Sequence, residues 1–535
     1  MKFKTQIFVK TWLIASIFAA NSAMAVEPAT PNATLSGKPY SAPTNLDTSL
    51  PDLGDISQTV LTPQDEERIG AQIMRDVSNS DEVVQDIEII DYLNELGNRL
   101  VAASSDKLQK FNFFVVQDNS INAFAMPGGV IGVHTGLIAV SNSESELASV
   151  LGHEIGHVSQ HHLARMLASQ KYDTFKNIAG IALALLVARS NPELANGALA
   201  ASSAAGVQRQ LDYTREHERE ADRVGLSILD AAGFDVRAMA AFFTTLQRGT
   251  RFTEGTAPSF LRTHPLTAER ISDVANRVES MPYRQVTDSL TFNLVKAKLR
   301  ANTGLAQDAV EQFQDNIKDQ RFANETAEHY GLAVAMLRKN DVIGAQNQMQ
   351  WLRKSTQKNS RPNNEKGAVI QSALIESALI ESALNENPMI ETLAARIAVA
   401  RNNPLAAATQ YARGLSRFPA YRGLIYGYAE HFLAINQPDK AIKLVQDKQS
   451  VYPNDAYFYD VLAKAYALKN KNLLRFQAQG EAYYRQYNLQ KAIEQMELAA
   501  KAKDGNFYEQ SIVEARLKQL RRLEENEKLA DKRLS

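Results

Sequence analysis

The sequence predicts a mainly α chain in two parts, an α+β domain followed by an all-α solenoid, and three observations carry that prediction. Strand-like pattern is confined to residues 111–134. Around it, apolar residues recur at helical spacing. Beyond about residue 292, Ala, Leu, Tyr, Gln and Lys dominate, no strand pattern appears, and landmarks return at an interval of 34 residues.

Residues 1–25 begin with Lys2, Lys4 and Lys10, continue as an apolar run over 12–20 and close on Ala23-Met24-Ala25. This is the pattern of a secretory signal peptide cleaved after Ala25, and the apolar run is shorter than the roughly 20 residues a membrane-spanning helix needs. Cleavage removes three positive charges and no negative ones, so the formal net charge moves from −1 to −4. So near-neutral a balance gives no basis for nucleic-acid binding. The chain has no cysteine. That fits an exported periplasmic protein with an ordinary core, excludes thiolate ligands and a cysteine nucleophile, and leaves no site for lipid attachment at the new N-terminus.

Residues 26–54 are rich in Pro, Ala, Thr and Ser, which predicts a flexible leader. Thr62-Pro63-Gln64-Asp65 is a helix-start signal, with a capping Thr and Pro at the first helical position. Helices are expected over 65–77 and 83–103, a strand over 111–117 (FNFFVVQ), and a hairpin over 123–134 turning at Gly128-Gly129. His134 is expected to be structural.

Residues 151–161 read LGHEIGHVSQH. On a helix His153 and His157 share a face and can offer two imidazole nitrogens to one tetrahedral Zn²⁺. Glu154 beside them suits the general-base role in metal-assisted peptide hydrolysis. Gly152 and Gly156 each cost a helix about 1 kcal/mol relative to Ala, so another backbone is expected to pack there. His161 and His162 are expected to be exposed. Residues 171–208 form an insertion, read as a helical hairpin broken at Asn191-Pro192, or as a lid or membrane-surface contact; its apolar runs are too short to span a bilayer.

A two-histidine zinc site needs a third protein ligand if a position is to stay open for water. Residues 213–225, YTREHEREADRVG, are helical and dense in carboxylates. Glu218 and Asp222 lie four apart on one face, but so do Glu216 and Glu220, and spacing leaves the choice open. A solvated face paired with Arg215, Arg219 and Arg223 is the plainer alternative. The helix is expected to end at Gly233.

HEIGH together with HEREAD, and NAFAMPGG at 122–129, resembles the M48 metallopeptidases, whose second motif reads ExxxD. The resemblance implies a zincin-type (gluzincin) fold with one zinc per chain. It makes His153, His157 and Glu218 the ligands, Glu154 the activator of water, and Asp222 a proton donor or the partner of a ligand; Glu220 falls at the wrong offset. The edge at Asn122, Ala123 and Phe124 becomes the candidate to receive an extended substrate by strand addition, against the alternative of an internal hairpin. Residues 260–271, FLRTHPLTAERI, resemble a motif of one periplasmic branch of the family. There a histidine at the place of His264 can fill the fourth zinc position and shut the enzyme off; the alternative is a loop histidine capping the helix at Thr267.

In the second part, Pro404 and Pro438, Pro419 and Pro453, and Ala395, Ala429 and Ala463 all recur at 34 residues, the tetratricopeptide period. Stacked helix pairs with a concave binding face are expected over 290–505. The ALIES repeat at 371–382 is read as a low-complexity extension without function, and 506–535 as a charged helical tail capping the solenoid. Tyrosines 457, 459, 466, 483, 484 and 487 are expected mostly in the core, some lining a groove.

The resulting expectation is a signal peptide (1–25), a leader (26–54), an M48-type zinc endopeptidase domain (55–280), an all-α tetratricopeptide solenoid (290–505) and a tail (506–535). By the resemblance, its substrates are unfolded or misassembled outer-membrane β-barrel proteins. The solenoid docks on the β-barrel assembly machinery, with possible peripheral membrane contact. Two other classes fit the motifs: a zinc-stabilised scaffold or chaperone acting without turnover, and a general housekeeping protease with no dedicated partner.

Overall fold

The computed structural model describes residues 62–78, 80–104, 110–168, 215–251, 259–359 and 387–534. The signal peptide, the leader, the 171–208 insertion and the ALIES repeat lie outside them. Thr62 opens α1 (Pro63–Ser78): its hydroxyl accepts from the Asp65 amide at 3.2 Å and donates to the Asp65 carboxylate at 2.6 Å. Asp86 caps α2 (Ile87–Ala103) by accepting from the Glu88 amide at 3.0 Å. Each cap satisfies backbone donors that the first helical turn leaves unpaired.

Three strands follow, β1 (Asn112–Val116), β2 (Ala123–Met126) and β3 (Val130–His134), in the spatial order β1-β3-β2. β3 pairs parallel with β1 and antiparallel with β2, and all five of its residues are buried, as the central strand of a sheet covered on both faces requires. The hairpin turns at Gly128 and Gly129, both at positive φ; a Cβ on Gly129 would stand 2.1 Å from the Lys110 carbonyl oxygen. β2 is left on an edge of the sheet.

The sheet feeds α3 (Thr135–Val140) and then α4 (Glu144–Ser159), which carries HEIGH and is capped by Ser143 on the Glu146 amide. Every α4 residue from Glu144 to Val158 is buried, so this helix has no solvated face at all. Around it lie α5 (His162–Ala168), α6 (Arg215–Ala231), α7 (Arg237–Arg251), α8 (Ser259–Thr263) and α9 (Ala268–Glu279). Gly233, at φ 80°, ends the turn after α6 with the Phe234 amide donating back to the Leu229 carbonyl at 3.0 Å.

The rest of the described chain is helical. α10 (Leu290–Asn302), α11 (Ala306–Lys318), α12 (Glu325–Arg338) and α13 (Val342–Asn359) lead to four pairs. These are α14 (Pro388–Ala400) with α15 (Pro404–Arg417), α16 (Arg422–Ala434) with α17 (Pro438–Gln449), α18 (Ala456–Leu468) with α19 (Asn472–Arg485), and α20 (Leu489–Lys501) with α21 (Phe507–Leu534). Ala395, Ala429 and Ala463 are buried in the first helix of successive pairs, and Pro404 and Pro438 begin the second. Asn402, Asn436 and Asn470 turn the chain within the first three pairs at positive φ, a left-handed conformation that asparagine tolerates better than most residues. Val513, Leu517 and Leu520 bury one side of α21 against its partner α20 and against α19.

One hydrophobic core runs without a break from Val84 and, on α2, Leu93, through Leu151 on α4, to Phe313, Leu352 and Ile397. Polar bonds reinforce it at α2. Lys298 of α10 is 2% exposed and lies 2.5 Å from Asp86 and 2.6 Å from Glu88. Tyr421 donates to Glu88 at 3.1 Å, and Arg422 of α16 pairs with Asp91 and Asp455. Among the described residues, no helix is long and apolar enough to cross a membrane.

Removing one member of a buried ion pair strands the other. Lys298→Met is therefore expected to destabilise the fold by about 3–5 kcal/mol. Denaturant unfolding should show this as a lower midpoint, with an exposed control such as Lys440→Met staying within about 0.5 kcal/mol of wild type.

Candidate metal centre

The site begins where α4 and α6 cross with no side chain between them. A Cβ on Gly225 would lie 3.0 Å from the His153 backbone nitrogen, and one on Gly156 would lie 3.0 Å from the Ala221 carbonyl oxygen. Gly152 faces Gly225 in the same contact. The glycines that weaken α4 as a helix thus let α6 come close enough for short acidic side chains to reach the two histidines.

His153, His157, Glu218 and His264 each direct one ligand-type atom into a common volume, all within 4.8 Å of one another and all buried. Nε2 of His153 and Nε2 of His157 are 3.0 Å apart, and Nε2 of His153 is 3.5 Å from Glu218 Oε2. His264 Nδ1 lies 3.0 Å from Glu218 Oε1 and 3.4 Å from His153 Nε2. Atoms bound to one tetrahedral zinc at about 2.0–2.2 Å lie about 3.4 Å from each other, so the donor set fits that ion. Nitrogen and carboxylate donors without sulfur also suit it.

Charge supports the same fit. Glu154, Glu218 and Asp222 are three buried carboxylates, and the described cation among them is Arg270, itself 2% exposed. That leaves two negative charges, the deficit a divalent cation fills. Without an ion, the cluster draws a proton. Burial lowers the pKa of His153, yet the hydrogen bonds to Asp222 and Glu218 overcome it and raise the value to about 9. Burial holds His157 down at about 3. Burial pushes Glu154 upward, opposed by His264, His153 and the Ala125 backbone amide. Burial also acts against ionisation of Glu218, but His264, His153 and His157 hold it well below the usual carboxylate range.

Behind the ligand atoms, His153 Nδ1 lies 2.9 Å from Asp222 Oδ1, and Asp222 accepts from Arg270 Nε and a terminal nitrogen, each at 2.8 Å. The other terminal nitrogen of Arg270 is 2.7 Å from Glu218 Oε2 and donates to the Pro265 carbonyl at 2.9 Å. Arg270 stands in the quoted FLRTHPLTAERI stretch, but nothing in that pattern separates it from a solvent-facing arginine; only the fold buries it.

Of the open acidic pairs, Glu218 and Asp222 face the histidines, while Glu216 is exposed and Glu220 half-buried. His264 does not cap the helix at Thr267; Thr267 does so itself, accepting from the Arg270 amide at 3.3 Å, and His264 is buried against Phe260. His134 is bonded to Ser120 at 2.9 Å, away from the cluster. His162 departs from its expected exposure: it is fully buried, with Nδ1 2.8 Å from His157 Nδ1. α4 ends at Ser159 and His161 takes φ 50°, which turns His162 back under the site. His161 is half-buried and faces Glu66 at 3.9 Å.

Ala123 and Phe124 lie in edge strand β2, and Asn122 precedes it with its side-chain oxygen buried and unpartnered. A cleft lined by Ala125, Met126, Pro127, Val158 and Leu163 opens beside His157.

Residues 90–278 match the description "Peptidase family M48". The chain is 29% identical over 478 residues to a Yersinia pestis protein named beta-barrel assembly-enhancing protease, covering 89% of this chain and 92% of that one. Its counterpart of the same name in Escherichia coli is 29% identical over 485 residues, with the same coverage. A Vibrio cholerae protein that carries the name provisionally is 41% identical over 261 residues, a match that spans 49% of this chain and about half, 54%, of the relative.

Arg270→Gln leaves two buried carboxylates without their guanidinium. It is expected to cost about 3–5 kcal/mol in denaturant unfolding of the metal-stripped protein. Arg262→Gln, which removes only an exposed contact to Ser259, should stay within about 0.5 kcal/mol of wild type.

Proposed function

Residues 90–278 belong to peptidase family M48, and from that premise we propose that this zinc metalloendopeptidase acts in outer-membrane protein quality control, degrading misfolded or stalled β-barrel proteins. The observation that carries the reading is the convergence of His153, His157, Glu218 and His264, with the buried Glu154 carboxylate beside them. Relatives aligned over nearly the whole chain bear the name beta-barrel assembly-enhancing protease.

His153, His157 and Glu218 hold the zinc. When bound, it supplies a Lewis acid that polarises the scissile carbonyl and stabilises the developing oxyanion. Glu154 takes the proton of the attacking water: it stands beside the ligand cluster, outside the Arg270 pairing, and burial raises its proton affinity. Asp222 is committed on one side to His153 and on the other to Arg270, which supports a positioning role over that of proton donor. Asn122, Ala123 and Phe124 receive the substrate backbone along the open side of β2, and an unfolded barrel strand is already extended for such pairing.

His264 serves as a fourth ligand that latches the resting enzyme. Its Nδ1 lies among the ligand atoms and its Nε2 is 3.5 Å from Glu154 Oε1, between the base and the centre. The Phe260 amide ties α8, which ends one residue before His264, to the Ile121 carbonyl at 3.0 Å, at the entry to β2, so the latch and the substrate edge are mechanically joined.

The chain is exported to the periplasm by a signal peptide cleaved after Ala25, with a peptidase domain over 55–280, tetratricopeptide repeats over 290–505 and a helical tail over 506–535. The solenoid docks on the β-barrel assembly machinery. The 34-residue recurrence of buried alanines and left-handed asparagines supports the repeat reading. The scaffold reading, in which zinc is structural, gains support from His264, because four side chains can then fill all positions.

Zinc content and cleavage of casein or an unfolded barrel protein, measured together, separate the two. Glu154→Gln is expected to keep zinc and lose about 10²–10⁴ of the cleavage rate, and His264→Ala to cleave faster than wild type. Zinc binding in every variant with cleavage in none would favour the scaffold.

A further inference from the structure

We infer that His162 and Glu220 form a positioning pair that fixes His157 in the tautomer presenting Nε2 to the metal, an inference that rests on the ligand role proposed for His157. A contact of 2.8 Å between Nδ1 of His162 and Nδ1 of His157 needs a donor on one ring and a bare lone pair on the other. The far side of His162 decides which is which. Its Nε2 lies 3.1 Å from Glu220 Oε2, and an ionised carboxylate only accepts. Nε2 of His162 therefore carries the hydrogen and, in the neutral ring, Nδ1 is bare. His157 must then donate through Nδ1, which leaves its Nε2 lone pair aimed at the cluster. Reversing the direction would place the hydrogen on His157 Nε2, where it blocks ligation.

The pair is held from several sides. Arg165, one turn along α5, reaches the same Glu220 oxygen at 2.6 Å. The His217 ring stacks on His162 at 4.5 Å between centroids. Glu220 lies on α6 between Glu218 and Asp222, so one helix orients both ligand histidines, His153 directly through Asp222 and His157 through His162. Hydrogen-bond partners of this kind set a ligand's orientation and basicity, and their loss weakens metal affinity by about 10–100-fold.

The test is zinc affinity of the full chain by competition with a chromogenic chelator, beside the melting temperature of the metal-stripped protein. His162→Phe keeps a buried ring without an acceptor and should bind zinc about 10–100-fold more weakly. His162→Asn, whose Oδ1 stands near the position of Nδ1 and accepts, should recover most of that loss, and Glu220→Leu, which removes the acceptor, should weaken binding in the same direction as His162→Phe. Equal zinc affinity in wild type and His162→Phe would overturn the inference. So would losses in His162→Phe and His162→Asn that match each other and track the melting temperature. His157→Ala is the control for the underlying reading: full zinc binding there would sink the ligand assignment, whereas lost binding there with an unaffected His162→Phe would sink only the positioning pair.

Discussion

The contact between α4 and α6 through Gly152, Gly156, Ala221 and Gly225 is the constraint on which the centre depends. Helices in globular proteins usually stand about 8–10 Å apart because side chains separate them. Here backbone meets backbone, and a β-carbon added at Gly225 would meet the amide nitrogen of His153 itself. The glycines surrender helix propensity, and α4 recovers it by burying the whole of its length between Glu144 and Val158. What is gained is reach. A glutamate and an aspartate one turn apart on α6 meet two histidines one turn apart on α4 without any loop in between.

Close approach also concentrates charge where water is excluded. Three carboxylates and one guanidinium stay together only if hydrogen bonds and a further positive charge offset the loss of hydration. Arg270 answers the first need by bonding Asp222 through two nitrogens and facing Glu218 with a third. The divalent ion answers the second. The same arrangement leaves Glu154 as the carboxylate that Arg270 does not bond; it faces His264 at 3.5 Å and the Ala125 backbone instead.

The helical second part is bound to this centre through α2 and α4. The core crosses from one part to the other without a gap, Glu144 at the start of α4 accepts from Ser289, and α2 is gripped by Lys298 from one side and by Tyr421 and Arg422 from the other. Events in the second, helical part therefore have a short mechanical route to the helix that carries Glu154. That route consists of buried ion pairs and hydrogen bonds, which hold in discrete arrangements rather than yielding gradually.

The sequence by itself determined the elements whose signals are local: the HExxH face of α4, the hairpin at Gly128-Gly129, the capped start at Thr62 and the 34-residue recurrence of helix pairs. Each of these rests on a period, a spacing or a turn residue that acts within a few neighbours. The glycines of α4 also announced a close partner without saying which. Tertiary structure decided the rest. Spacing left Glu216 and Glu220 level with Glu218 and Asp222, and only the helix crossing put one pair at the centre, with Glu220 half-buried against His162 and Glu216 exposed. Arg270 is indistinguishable in sequence from a solvated arginine until α9 packs on α6. His162, five residues past His157, would point elsewhere on a continued helix; the left-handed turn at His161 swings it back beneath the His157 ring. These are consequences of where one segment meets another, and no local rule along the chain encodes that meeting.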